Sequence, residues 1–392
     1  MDLTLNPEQS FFQQTTRRFL ESETPLTKVR ELLDDPSGFD RGWWRRGAEL
    51  GWTAFLVPEE DGGGTLSGGG MADLAIVAEE FGRLVSPGPL HPTNVVAAAV
   101  AASGTPEQRA EVLPAIVGGD VVATWCFKEP GRGWRAGDIG MAARPGDDGG
   151  FVLSGTKTLV EAAGEADWLL VSARAAGTGG SGGELVQFLL PRDTPGVSVT
   201  PMQGLDFVRR FAQVRFDEVA VPGSARVGSG DASEDIERQL QIGATLECAQ
   251  MAGAAERVLE FTTGYAFDRY SFGRQLASYQ ALKHRFADMK LWLEATHATV
   301  EGAARALDET ANGASGANGA AATGAARLVS AAKVYVGDHV PELVQDCVQM
   351  HGGIGVTWEH DIHLYLRRVT LGRGLYGTPD EHRERLAAAA GL

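Results

Sequence analysis

The chain has 392 residues, 43% of them hydrophobic, with 35 Lys and Arg against 51 Asp and Glu, a formal net charge of −16. That balance argues against nucleic acid and anionic membrane surfaces as main partners, while leaving enough cations for a local phosphate pocket. Such a length supports two or three domains. The three cysteines, Cys126, Cys248 and Cys347, lack the C-x-x-C spacing of a metal or redox pair and suit a reducing compartment. The N-terminus has neither a basic nor an apolar leader region, and no apolar run reaches membrane length, so the expected location is the cytoplasm.

Residues 1 to 118 read as helices. Asn6 is placed to cap the first, with Pro7 at its first position, and Phe11, Phe12, Phe19 and Leu20 recur at helical spacing. A glycine-rich loop over 61–70 precedes a second helix over 71–84, and Thr105 with Pro106 repeats the cap signature. From 119 to 230 the period shortens. Runs at 121–127, 151–154, 168–172, 185–190 and 197–200 are rich in β-branched and aromatic residues, separated by loop signals at 147–150 and 177–183. These predict a small antiparallel β domain. From 231 to 392 helical periodicity returns over 233–266, 280–310, 325–350 and 379–390, interrupted by a Gly/Ala/Asn-rich connector at 311–324. The order predicts an α+β, mostly helical, layered fold.

Two short segments carry the chemistry. Arg269 can grip a phosphate oxygen through two hydrogen bonds, Phe272 offers a flat apolar face, and Gly273 permits close approach. Gln280, seven residues after Gly273, supplies the donor and acceptor that an adenine edge requires. Gln349 and His351 then precede Gly352 and Gly353, where backbone N–H groups can meet an anion. This ordered pair resembles the adenine-dinucleotide contacts of the acyl-CoA dehydrogenase family. Gly155, Thr156 and Lys157 and the segment from Thr357 to Arg368 add to this resemblance, and the residues from 357 to 368 resemble in particular the bacterial members that act on steroid side-chain CoA thioesters. The resemblance covers essentially the whole chain. It implies an N-terminal helical domain, a central β domain and a C-terminal four-helix bundle. It also implies FAD as cofactor, an acyl-CoA substrate and an electron-transfer flavoprotein as acceptor.

The same resemblance exposes departures. The family's usual base, a Glu before a Gly-Thr pair, is here Tyr376, a phenol of ordinary pKa about 10. The minority base position on the first bundle helix falls at Gly243. Glu247 lies one turn further on the same face, in an apolar run where burial would raise its pKa and suit it to proton abstraction. At the flavin ring, Lys128 replaces the usual Thr, Gly131 to Arg135 replaces Gly-Ser-Asp, and Leu159, Val160 and Glu161 replace Trp-Ile-Thr. A carboxylate at Glu161 opposes the charge of a reduced flavin. The ADP half of the site is kept and the ring half is lost.

In this family each FAD spans a subunit interface, so such a chain can complete the site of an unlike partner. The leading expectation is therefore a subunit of an α2β2 acyl-CoA dehydrogenase whose partner supplies the ring site and the base. The alternatives are a self-sufficient homotetramer using Glu247, a structural or regulatory subunit, and a flavin oxidase or monooxygenase. Trp125, Phe127 and Trp134 read as β-domain core. Glu359, His360, Asp361 and His363 resemble a flanked cluster of metal-free relatives, and no metal is expected.

Overall fold

A computed structural model describes residues 4–146, 149–175, 183–311 and 318–392. The first part is helical: α1 (Pro7–Glu23), α2 (Leu26–Glu31), α3 (Arg41–Glu49), α4 (Gly70–Arg83), α5 (Leu90–Ser103) and α6 (Pro106–Val117). The cap signatures hold. Asn6 Oδ1 accepts from Gln9 N at 2.8 Å while Gln9 Oε1 accepts from Asn6 N at 3.1 Å. Thr105 and Gln108 repeat this reciprocal arrangement at α6.

Eight strands follow in one sheet: β1 (Ala123–Cys126), β2 (Ala142–Pro145), β3 (Phe151–Glu161), β4 (Trp168–Ala175), β5 (Leu185–Pro191), β6 (Val197–Met202), β7 (Phe211–Val221) and β8 (Arg226–Val227). The sheet is mixed, which corrects the expectation of an antiparallel domain: β4 pairs in parallel with both β1 and β2, and the other pairs are antiparallel. The 11-residue β7 went unread although its residues alternate between buried and exposed along much of its length. Charged residues on its outer face mask the apolar ones opposite. A register shift between Lys157 and Val160 puts a bulge in β3, with Leu159 at φ +51. The bulge re-aims the strand so that Val160 and Glu161 both point inward.

The C-terminal part comprises α7 (Ser233–Asp268), a hairpin of β9 (Tyr270–Ser271) and β10 (Arg274–Gln275), α8 (Gln280–Ala311), α9 (Asn318–His351), α10 (Ile362–Gly372) and α11 (Pro379–Ala389). Helix α9 begins inside the expected connector, whose residues 312–317, like loop residues 147–148 and 177–182, lie outside the described part. Helices α4 and α7 cross closely because both are glycine at the contact. A Cβ on Gly82 or Gly253 would lie 1.9 Å from a carbonyl oxygen of the opposing helix. Buried polar bonds fix the remaining layers: Asp206 pairs with Arg368, and Tyr365 donates to the Arg83 carbonyl at 2.7 Å.

Candidate functional site

Helix α7 ends at Asp268, and the Arg269 N–H closes it on the Tyr265 carbonyl at 2.8 Å. The hairpin that follows turns on Phe272 and Gly273, both left-handed at φ +50 and +79. That two-residue turn matches the twist of its strands but strains a phenylalanine. Phe272 is nonetheless 97% exposed, so packing within this chain does not offset the strain. Arg269 is exposed, and its guanidinium makes no hydrogen bond or ion pair among the described residues. Gln280 starts α8, with its Nε2 3.0 Å from His284 Nε2.

The second motif lies beside the first because of a residue the sequence reading passed over. Tyr265, one turn before Arg269, stacks on His351 with ring centroids 4.5 Å apart, and its hydroxyl donates to the His351 carbonyl at 3.4 Å. The imidazole of His351, expected as a ligand contact, is packed into the chain. It is buried, has Nδ1 2.8 Å from the Cys347 carbonyl and packs against His360. Burial holds its pKa below the ordinary value. Gln349, Gly352 and Gly353 are exposed, and a Cβ at Gly273, Gly352 or Gly353 would meet nothing within 4 Å. The two segments, set side by side by the Tyr265–His351 contact, thus present an unpaired guanidinium, amides, an aromatic ring and bare backbone at an open cradle-like surface.

The ring side is the opposite. Glu247 is fully buried, with Arg209 Nη1 at 3.0 and 2.8 Å from its two oxygens and His91 Nδ1 at 3.4 Å. The other arms of Arg209 reach Glu161, Nε at 2.6 Å and Nη2 at 2.7 Å. Burial alone would push the Glu247 carboxyl up. Arg209 above all, then His91 and Lys333, outweigh it and hold the group well below the usual carboxylate range. The expected raised pKa is thus corrected: burial here comes with a cation. Arg209 and His91 were not read from the sequence. The available signal was charge balance, since a carboxylate inside an apolar run demands a cation, and Arg209 lies in the polar loop between β6 and β7.

Tyr376 and Gly243, the two positions where a base was sought, form one steric unit. The buried Tyr376 ring lies over Gly243, where a Cβ would be 2.3 Å from its Cε1. Its backbone is left-handed at φ +58, and burial drives the phenol pKa far above its ordinary value. Trp134 packs on Tyr376 at 5.3 Å and stacks on Phe127 at 5.8 Å, with the Lys128 ammonium 5.5 Å from the indole. These side chains and the Glu161–Arg209 pair leave a cavity of about 30 Å³, about a tenth of the smallest usual ligand pocket. The cluster at 359–363 is bound to its surroundings through Arg30, whose Nε is 2.6 Å from Asp361, and no metal-holding group of three His, Cys, Asp or Glu occurs among the described residues.

Three domain models match in order: the acyl-CoA dehydrogenase N-terminal domain over residues 6–120, the middle domain over 124–219 and the C-terminal domain over 234–391. The chain belongs to the acyl-CoA dehydrogenase family. It is 28% identical to the acyl-CoA dehydrogenase IpdE2 of Mycolicibacterium smegmatis over 98% of this chain and 99% of that one. It is 27% identical to the acryloyl-CoA reductase (NADH) of Anaerotignum propionicum over 98% and 94%. Among solved structures, butyryl-CoA dehydrogenase from Megasphaera elsdenii superimposes with a TM-score of 0.87 at 24% identity over 100% of both chains, which shows the shared fold. A variant of the Tcur3481-Tcur3483 steroid ACAD superimposes at 0.82 with 29% identity over 99% of both. FAD is the cofactor that membership of this acyl-CoA dehydrogenase family implies. The exposed guanidinium of Arg269 and the bare backbone of Gly352 and Gly353 are of the chemistry that a pyrophosphate would meet, and a cavity of about 30 Å³ is too small for an isoalloxazine.

Proposed function

We propose that this chain is one of two unlike subunits of an FAD-dependent acyl-CoA dehydrogenase that introduces an α,β double bond into an acyl-CoA thioester. It supplies the ADP half of the cofactor site, through Arg269, Phe272, Gly273, Gln280, Gln349, Gly352 and Gly353. The partner supplies the ring site and the base. The observation that carries this reading is the contrast between the open cradle and a ring-side cavity of about 30 Å³. The strained, exposed Phe272 supports it, because a second chain seated on the hairpin would bury that ring. A steroid side chain is the acyl group favoured by similarity to the steroid ACAD. An electron-transfer flavoprotein is the acceptor consistent with the family.

The test is expression of the chain alone and with its partner, followed by native mass and FAD per assembly. No flavin alone and two FAD in a mixed tetramer are expected, and Arg269→Ala then lowers the flavin content of the complex. Unchanged flavin in that variant would instead indicate a structural or regulatory subunit. A second reading, a homotetramer with Glu247 as base, has one observation in its favour: the carboxylate is held ionised one ion pair away from the ring-side cavity. Four FAD in a homotetramer, and loss of turnover with flavin retained in Glu247→Gln, would establish it.

A further inference from the structure

Phe261, Tyr265 and Arg269 follow one another at intervals of one helical turn along α7 and so share one face of it. The first two clamp His351. Tyr265 lies flat on the imidazole, 22° from parallel with ring centroids 4.5 Å apart, and Phe261 meets it edge-on at 5.7 Å. His360 closes another side at 4.5 Å, and the His351 Nδ1–H donates to the Cys347 carbonyl at 2.8 Å. Next along the α7 face comes Arg269, and next after His351 come Gly352 and Gly353. The ring stack therefore sets how far the guanidinium stands from that bare backbone.

The spacing matters because the cradle lies where two helices end. Helix α7 stops at Asp268 and α9 at His351, so each brings the partial negative charge of a C-terminus toward the cradle. That charge opposes an anionic ligand. Arg269 is the cation that offsets it, through hydrogen bonds whose strength depends on a fixed geometry. Its own side chain is exposed and makes no hydrogen bond or ion pair among the described residues, so its placement comes from the helix that carries it. We infer that Tyr265 is a positioning residue for the dinucleotide. By stacking on His351 it holds Arg269 and the Gly352–Gly353 backbone together, where one pyrophosphate can meet both, and it thereby adds to the binding of FAD but not of FMN, which carries a single phosphate. The inference rests on the reading of this chain as the ADP half of a shared site, and deepens it by naming what makes that half selective.

The test uses the mixed assembly of the full chain with its partner, as wild type, Tyr265→Phe, Tyr265→Leu, Arg269→Ala and Tyr265→Leu/Arg269→Ala. FAD and FMN are titrated into the flavin-stripped assemblies by fluorescence quenching, and native mass is recorded for each. Tyr265→Leu is expected to weaken FAD about tenfold and to leave FMN unchanged. Tyr265→Phe keeps the stack and loses only the hydroxyl's 3.4 Å bond to the His351 carbonyl, so it should stay near wild type. In the Arg269→Ala background the leucine should cost little more, because the group it positions is gone. Equal losses for FAD and FMN, or losses of the two single variants that simply add, would overturn the inference. Should the leucine variant not assemble, Tyr265→Met, which fills the space without a flat ring, is read in the same way. The two readings fail separately. FAD binding that ignores Arg269→Ala refutes the shared site, whereas a loss in Arg269→Ala that Tyr265→Leu does not reproduce refutes the positioning role.

Discussion

Arg209→Met is the most informative single change for the fold. The guanidinium is 3% exposed and makes close bonds to Glu161 and Glu247, themselves 10% and 0% exposed in their side chains. Deleting one partner of a buried pair costs about 3–5 kcal/mol, and here one deletion strands two carboxylates, so the upper end applies. In a chain of this size each kcal/mol moves the melting midpoint by no more than about 2 °C, which gives a drop of up to about 10 °C. The assay is calorimetric melting of wild type and variant at pH 8 and pH 5. In the wild type the Glu247 pKa is depressed by Arg209. Its contribution is therefore present above the unfolded value and lost only as pH falls through the lower folded one, outside this window. In the variant, burial raises the Glu247 carboxyl with no guanidinium to oppose it, and the penalty shrinks as that group takes up a proton below neutrality. The gap between the two proteins should thus narrow from pH 8 to pH 5. Replacing all three residues, as Glu161→Leu/Arg209→Met/Glu247→Leu, should recover most of the loss. A drop no larger than that of the exposed control Arg192→Met, or a gap independent of pH, would refute the account of Arg209 as the cation that makes this burial tolerable.

Arg269→Ala should weaken FAD retention by the mixed assembly about tenfold or more, because a charged hydrogen bond contributes about 1.5–3 kcal/mol; equilibrium dialysis of the complex checks this. Gly243→Ala forces a methyl into the Tyr376 ring and should cost about 1–3 kcal/mol by overpacking. The cost should fall in the Tyr376→Gly background, and additive losses in the double-mutant cycle would contradict the contact. Asp308 on α8 accepts from the N–H groups of Met71 and Ala72 at 2.7 and 3.0 Å, yet burial pushes its pKa up to about 6. A folded pKa above the unfolded one means the ionised form is the less stable, so stability should rise as pH falls from 7.5 to 5. That rise should be smaller in Asp308→Asn, and equal slopes for the two proteins would sink the prediction.

The cap-defined helices and the order of layers were legible because they depend on neighbours in the chain. Asn6 and Gln9, or Thr105 and Gln108, sit three residues apart and satisfy each other wherever the helix goes. The parallel pairing of β1 and β2 with β4 was not legible, because strand direction is set by how the intervening chain returns. Helix α10 was missed as a helix because its 11 residues, Ile362–Gly372, were read for their motif rather than for their period.

The sequence by itself determined the family, the kept ADP-side motif and the absence of both usual bases, since these are matters of residue type at fixed spacing. Only the tertiary structure decided what the altered residues do. Glu247 could be a raised-pKa base or an ionised partner, and the choice fell to Arg209, 38 positions away in the chain. His351 packs into the core against Tyr265, 86 positions away. Gly243 and Tyr376 looked like two separate losses and proved to be one contact. The physical reason is common to all three: burial and charge act through space, and a carboxylate's proton affinity or a ring's accessibility is set by neighbours that only the folded chain brings within a few ångströms.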